Sequence, residues 1–156
     1  FLILAYLLYY GLPEVGISMD AWSAGLVALM IYHGAYFFEI LRSQRRVFSA
    51  GYIEAAVAQG FSRYQIYRRI ILPNIVSSAL PLLGNQLIIC LKDTAFLSII
   101  TVQEITAAAN SVQATWFIPF NAFIVAIALY WAISILLELL IKRLSALGAR
   151  RGMSHA

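Results

Sequence analysis

Charge is scarce in this sequence. Asp, Glu, Lys and Arg make up 12% of the residues, against about 25% in soluble domains. A chain so poor in charge and 62% hydrophobic, with a mean hydropathy of +0.83, does not read as a soluble domain. It implies one integral membrane domain. Cysteine is rarer still. Cys90 is the single one and lies in an apolar run, which excludes a disulfide framework and a thiolate metal site and leaves a small hydrophobe. The two histidines, His33 and His155, form neither a paired His/Glu metal motif nor a serine–histidine pair at reachable spacing. An intramembrane enzyme therefore lacks its groups. No G-x-x-x-x-G-K-[ST] loop is present to cradle phosphates.

Basic residues are missing from two stretches. Residues 13–20 and 95–116 contain none, while ten of the eleven lie at 42–69 (Arg42, Arg45, Arg46, Arg63, Arg68, Arg69) and 142–151 (Lys142, Arg143, Arg150, Arg151). If the apolar spans alternate, those ten share one side of the membrane, so residues 43–73 and the C-terminus are expected to be cytoplasmic. This clustering accounts for the basic balance without nucleic acid.

The spans follow from apolar length. Phe1–Leu12 reads as the end of a membrane helix closed by Gly11 and Pro13, because twelve residues fall short of the roughly 20 that a spanning helix needs. The chain starts at Phe1 within an apolar run without a basic n-region, so a missing N-terminal part is expected. Ala21–Leu41 covers roughly 30 Å, one hydrocarbon thickness. Asn74–Leu91 is a further span despite Pro81 and Gly84, which membrane helices tolerate. Lys92-Asp93-Thr94 interrupts it. Ala95–Trp116 is a mixed, broken helical segment, and Phe117–Ile141 is the last span.

The polar stretch Glu54–Pro73 predicts two short helices with a rigid joint. Ile53–Gln59 is helical and Gly60 stands where a C-cap needs a left-handed residue. Ser62 and Gln65 match a capping box, and Phe61 with Ile66 a hydrophobic staple. Pro73 is expected to end the second helix, since the residue before proline is pushed out of the helical region.

Charged and polar side chains within the spans are the candidates for function. Tyr32, Tyr36 and Glu39 share one helical face, and Arg42 follows Glu39 by three residues; the pair is either a pathway element or an interfacial anchor. His33 beside this stripe reads as structural. Lys92, Asp93 and Thr94 stand where a broken helix would line a watery pathway, or where a helix end snorkels to the interface. Asn85 shares that span.

Two groups of motifs carry a resemblance. Glu54-Ala55-Ala56, Gly60, Ile70, Leu72 and Pro73 match the signature cytoplasmic loop of bacterial ABC importer permeases at every spacing. Tyr9-Tyr10-Gly11-Leu12-Pro13, Gly34-Ala35-Tyr36 with Glu39-Ile40 and Arg42, Lys92-Asp93-Thr94, and Val102 with Glu104-Ile105 are similar to the polar amino-acid branch, the permeases for histidine, glutamine, arginine or opine-type substrates. The similarity runs over nearly all of residues 1–145. Three positions depart from the pattern: Gly51-Tyr52 stands for Gly-Gln before the loop, Pro73-Asn74-Ile75 for Pro-Gln-Ala after it, and Ala95 for the serine following Lys-Asp-Thr.

The resemblance implies an all-α membrane protein with the type I ABC importer transmembrane fold, about helices two to five of five. It implies a domain at 1–145, with the coupling loop at 43–73, and a cytoplasmic tail at 146–156. The chain would be a non-enzymatic translocation subunit of the bacterial inner membrane. ATP would be bound by a separate ATPase subunit, met through Glu54, Ala55, Ala56 and Gly60. A second permease, identical or homologous, and a periplasmic solute-binding protein would complete the system. The pathway would draw on Tyr36, Glu39, Arg42, Asn85, Lys92, Asp93 and Thr94. The competing reading is a truncated, non-transporting membrane remnant or scaffold subunit.

Overall fold

The computed structural model describes residues 1–150. The expected tail at 146–156 falls largely outside them, as do Arg151 and His155. Among the described residues every regular element is a helix: α1 (Leu2–Val15), α2 (Ala21–Val47), α3 (Ala50–Ala58), α4 (Arg63–Ile100), α5 (Ile105–Trp116) and α6 (Pro119–Arg150). Three of these, α2, α4 and α6, are long and apolar enough to cross a membrane.

Helix α1 does not close at Gly11 and Pro13. A π turn over Leu7–Gly11 passes into a 3-10 turn over Leu12–Val15. Pro13 sits in the first turn of that segment, where its missing N–H is not needed. The chain turns at Gly16, with φ +85°, where Gly16 N–H donates to Pro13 O and Ile17 N–H to Leu12 O.

Asp20 starts α2. Its carboxylate accepts from Ser23 N–H at 3.1 Å and from Ser23 Oγ at 2.5 Å. These bonds hold the Asp20 carboxyl below the ordinary carboxylate range. The helix runs past Leu41 to Val47. Nothing from 42 to 47 breaks it, and Arg45 and Arg46 in the last turn face the negative end of its dipole.

Helix α4 corrects the expected break at Pro73. Leu72 keeps helical angles (φ −60°, ψ −49°), and Pro73 enters the following turn. A π turn over Tyr67–Ile71 precedes it. The wider turn makes room for the ring, which in a regular helix would press on the carbonyl four residues back. Asn74 Nδ2 donates to Ile70 O at 2.7 Å, occupying one of the carbonyls there. At the other end Lys92-Asp93-Thr94 does not interrupt the helix. It continues to Asp93 and then tightens into 3-10 geometry over Thr94–Ile100. The break comes later, at Thr101, with φ +66°.

Helix α4 lies between α2 and α6, antiparallel to both. The α1–α2–α4 side closes over Ala5, Ala24, Ala28, Leu97, Ile100 and Val102. Small residues set these distances. A Cβ at Gly25 would stand 3.2 Å from both Leu97 methyls, and one at Gly84 only 2.5 Å from Ile141 Cγ2. Much of α6 faces outward with large apolar side chains such as Ile127, Trp131 and Leu136, as a surface meeting lipid tails or another membrane helix does.

Candidate functional site

Two regions carry the candidate residues: the elbow between α2 and α4, and the face where α2 meets α4 inside the membrane. The elbow is built by its caps. Gly60 has φ +80°, its N–H donates to Val57 O and Phe61 N–H donates to Ala56 O, which together form a Schellman closure of α3. Ser62 then caps α4: Ser62 Oγ accepts from Gln65 N–H at 3.3 Å and Gln65 Oε1 from Ser62 N–H at 2.9 Å. Phe61 and Ile66 pack in one cluster with Ala56, Ile71 and Ile75. Burial divides the motif. Glu54, Ala55, Gly60 and Leu72 are exposed, Ile70 and Pro73 partly buried, and Ala56 is only 4% exposed. Ala56 is therefore spent on the interior of the elbow, where a larger side chain would push α3 off α4. All six arginines from Arg42 to Arg69 are exposed at this end.

The intramembrane residues separate into groups. Tyr36 packs on Tyr32, with ring centroids 5.2 Å apart, and Tyr32 packs on His33, with ring centroids 5.3 Å apart. Asp93 Oδ2 is 3.4 Å from His33 Nε2. Gln86 Nε2 donates to His33 Nδ1 at 3.0 Å, which leaves the proton of the neutral ring on Nε2, where it makes no hydrogen bond among the described residues. His33 is 2% exposed while the Asp93 side chain keeps 21%. Phe1 and Tyr32 pack on the imidazole. His33 thus stands between Asp93 and Tyr32, and Tyr36 follows on from Tyr32.

Glu39 and Arg42 pair at 3.3 Å with both side chains about half exposed, toward the elbow end of α2. Asn85 and Lys92 turn the other way, toward α6. Asn85 borders a groove with Glu138 and Lys142, themselves paired at 2.6 Å. Lys92 borders another with Tyr130, Trp131 and Ser134. Thr94 Oγ1 donates to Leu91 O within its own helix, at 2.6 Å.

Sequence reasoning passed over Gln86 and treated His33 as structural. Gln86 carried a local signal, since it precedes Asp93 by seven residues and so shares its face of α4. Glu104 shows a plain structural task. It caps α5, accepting from Thr106 N–H and Ala107 N–H at 2.7 Å, and accepts from Tyr130 Oη of α6 at 2.7 Å. Among the described residues no three His, Cys, Asp or Glu side chains gather to hold a metal.

Residues 1–147 match the family described as binding-protein-dependent transport system inner membrane component. The chain is 35% identical over 150 residues to the nopaline transport system permease protein NocM of Agrobacterium fabrum, covering 90% of this chain and 62% of the relative. It is 31% identical to the arginine ABC transporter permease protein ArtQ of Escherichia coli, covering 90% and 62%. The histidine/lysine/arginine/ornithine transport system permease protein HisQ of Escherichia coli is 35% identical, covering 83% and 61%. The chain thus spans about three fifths of the length of these relatives. Among solved structures, the crystal structure of an amino acid ABC transporter with histidines superposes with a TM-score of 0.85 at 30% identity, covering 93% of this chain and 68% of that one. A family match over nearly the whole described chain, on three apolar helices packed as in a solved ABC transporter, gives one conclusion: this chain belongs to the inner-membrane components of binding-protein-dependent transport systems, with the all-α, multi-pass fold of a type I ABC importer transmembrane domain.

Proposed function

We propose that the chain is a translocation subunit of an ATP-driven importer for a polar amino acid or a related opine, moved by a separate ATPase that docks on the elbow. One observation carries the coupling part: the elbow is rigid where it must transmit force and exposed where it must be met. The Schellman closure, the capping box and the buried Ala56–Ile66–Ile71–Ile75 cluster fasten α3 to the start of α4, so a push on α3 moves a spanning helix. Glu54, Ala55 and Gly60 face out from that unit. Six arginines at the elbow, with Lys142 and Arg143 near the end of α6, favour a cytoplasmic elbow and C-terminus. The names of the relatives support an amino-acid or opine substrate. A second permease and a solute-binding protein complete the proposed system, and the α2–α4 patch of Tyr32, Tyr36 and Asp93 is the proposed pathway wall.

The test is co-purification of the complete permease with the ATPase encoded beside it. Retention of the ATPase in detergent is expected. Glu54→Lys and Gly60→Val should each abolish it while leaving the permease in the membrane. Retention by both variants, or none by the wild type, would overturn the coupling assignment.

A further inference from the structure

We propose that Arg68 and Arg69, with Tyr64, form a second contact for the ATPase, outside the exposed face of α3, and that they receive carboxylates of its surface. The proposal rests on the reading of the elbow as a docking site and goes further, to an added surface and the chemistry that fits it. It starts from the level at which each basic residue stands. Helices α2 and α4 are antiparallel, and their contacts give the register: Gly25 lies against Leu97, and His33 against Gln86 and Asp93. Counted along both helices at about 1.5 Å per residue, Arg42 stands level with Pro81. Helix α6 gives the same level independently. Gly84 lies against Ile141, Lys92 beside Tyr130 and Ser134, and Pro81 and Lys142 line one groove. Arg42, Lys142 and Arg143 thus mark one edge of the membrane. From Pro81 to Ile100 is about 30 Å of helix, one hydrocarbon thickness.

Helix α4 has 38 residues, or about 57 Å, so its first part projects from that edge. Arg68 and Arg69 lie roughly 20 Å beyond it. That is about two Debye lengths at physiological salt, too far for lipid headgroups to answer their charge. The protein itself does not answer it either. Between Glu39 and Asp93 the sequence has one acidic residue, Glu54, and among the described residues no carboxylate pairs with Arg63, Arg68 or Arg69. Arg68 Nη1 donates to Tyr64 Oη at 3.1 Å, one turn earlier on the same face, so the guanidinium is held beside a phenol that is 69% exposed. Ser62, Tyr64, Gln65, Arg68 and Arg69 line one open hollow, which begins just past Gly60. A planar guanidinium fork matches a carboxylate through two parallel hydrogen bonds. A partner seated on the elbow with acidic side chains here gains attraction and faster encounter, while a basic surface would be repelled.

The experiment measures the affinity of the complete permease in neutral detergent for the ATPase encoded beside it, from about 50 to about 500 mM KCl. Wild-type affinity should fall with salt. Arg68→Gln/Arg69→Gln should weaken binding about tenfold at low salt and flatten the salt dependence, and Arg68→Lys/Arg69→Lys should stay within about threefold of wild type. Arg45→Gln/Arg46→Gln, near the membrane edge, should stay within about twofold. Wild-type affinity and salt dependence in the Arg68→Gln/Arg69→Gln protein would overturn the proposal. So would equal losses in the glutamine and lysine variants, which would assign the effect to the fold of the elbow, or an equal loss in Arg45→Gln/Arg46→Gln, which would assign it to net charge. Depth has its own measurement, a nitroxide on Tyr64→Cys in a Cys90→Ala permease held in a bilayer. A water-soluble nickel complex should relax it. Relaxation by oxygen as strong as for a label on Leu136→Cys would place the hollow in the membrane and give the arginines to lipid headgroups instead. If the wild type retains no ATPase, the coupling reading falls and this proposal with it. If Glu54→Lys abolishes binding while Arg68→Gln/Arg69→Gln does not, only the second contact falls.

Discussion

Substitution of Gly84 tests the packing of α4 on α6. A Cβ placed there lies 2.5 Å from Ile141 Cγ2, 2.6 Å from Cδ1 and 3.0 Å from Cγ1. Carbon atoms settle at about 3.5–4.0 Å, so the overlap is about 1 Å against three atoms at once. Ile141 cannot simply swing away, because a β-branched side chain in a helix has one strongly preferred χ1. Either α4 and α6 separate or Ile141 leaves its rotamer, and overpacking of this kind costs about 1–3 kcal/mol. The intrinsic helix preference of Ala over Gly offsets about 1 kcal/mol of that, so Gly84→Leu, with more atoms to place, is the sharper variant and Gly84→Ala the milder. Thermal unfolding of the purified permease in detergent, followed by tryptophan fluorescence, reads the effect. Ile141→Ala removes the obstructing atoms. The double variant Gly84→Ala/Ile141→Ala should therefore be more stable than the sum of the single changes predicts, by about 1–2 kcal/mol. Strict additivity, or a Gly84→Leu protein as stable as the wild type, would refute the close approach of the two helices.

Glu104→Gln should lower stability by about 1–3 kcal/mol, because one carboxylate serves two backbone donors and the Tyr130 hydroxyl. Tyr130→Phe should cost less, about 0.5–1.5 kcal/mol, having removed a single hydrogen bond; equal losses in the same unfolding assay would mean that the caps on α5 contribute nothing. Acid should fray the start of α2. The Asp20 carboxyl is held below its reference value of 3.8 by Ser23, so its stabilising effect is present above that value and disappears as the pH falls through the lowered folded-state value. Hydrogen exchange at residues 21–24, compared between neutral and strongly acidic pH, should show this in the wild type and not in Asp20→Asn. An equal pH response in both would assign the fraying to another group.

Local spacing was enough to read much of this protein. Ser62 and Gln65 bond across three residues, and Gly60 takes up its left-handed turn within its own helix end. Such features depend on atoms a few residues apart, so a linear reading sees them. The spans were legible for a similar reason, since a run of apolar residues has few alternatives in a membrane. Where the reading of boundaries went astray, at Pro13 and Pro73, a π turn just before the proline let the helix continue. That adjustment relies on neighbouring turns and packing rather than on the proline's own preference. Only the tertiary structure could decide the α2–α4 site. His33, Gln86 and Asp93 meet because two antiparallel helices are in register, and Lys92 parts from Asp93 because adjacent residues on a helix point about 100° apart. Gly84 was legible as a helix weakness, yet its use is the close seat of Ile141, fifty-seven residues later. Contacts across helices are set by how the surfaces fit, and one strand of sequence does not contain both surfaces at once.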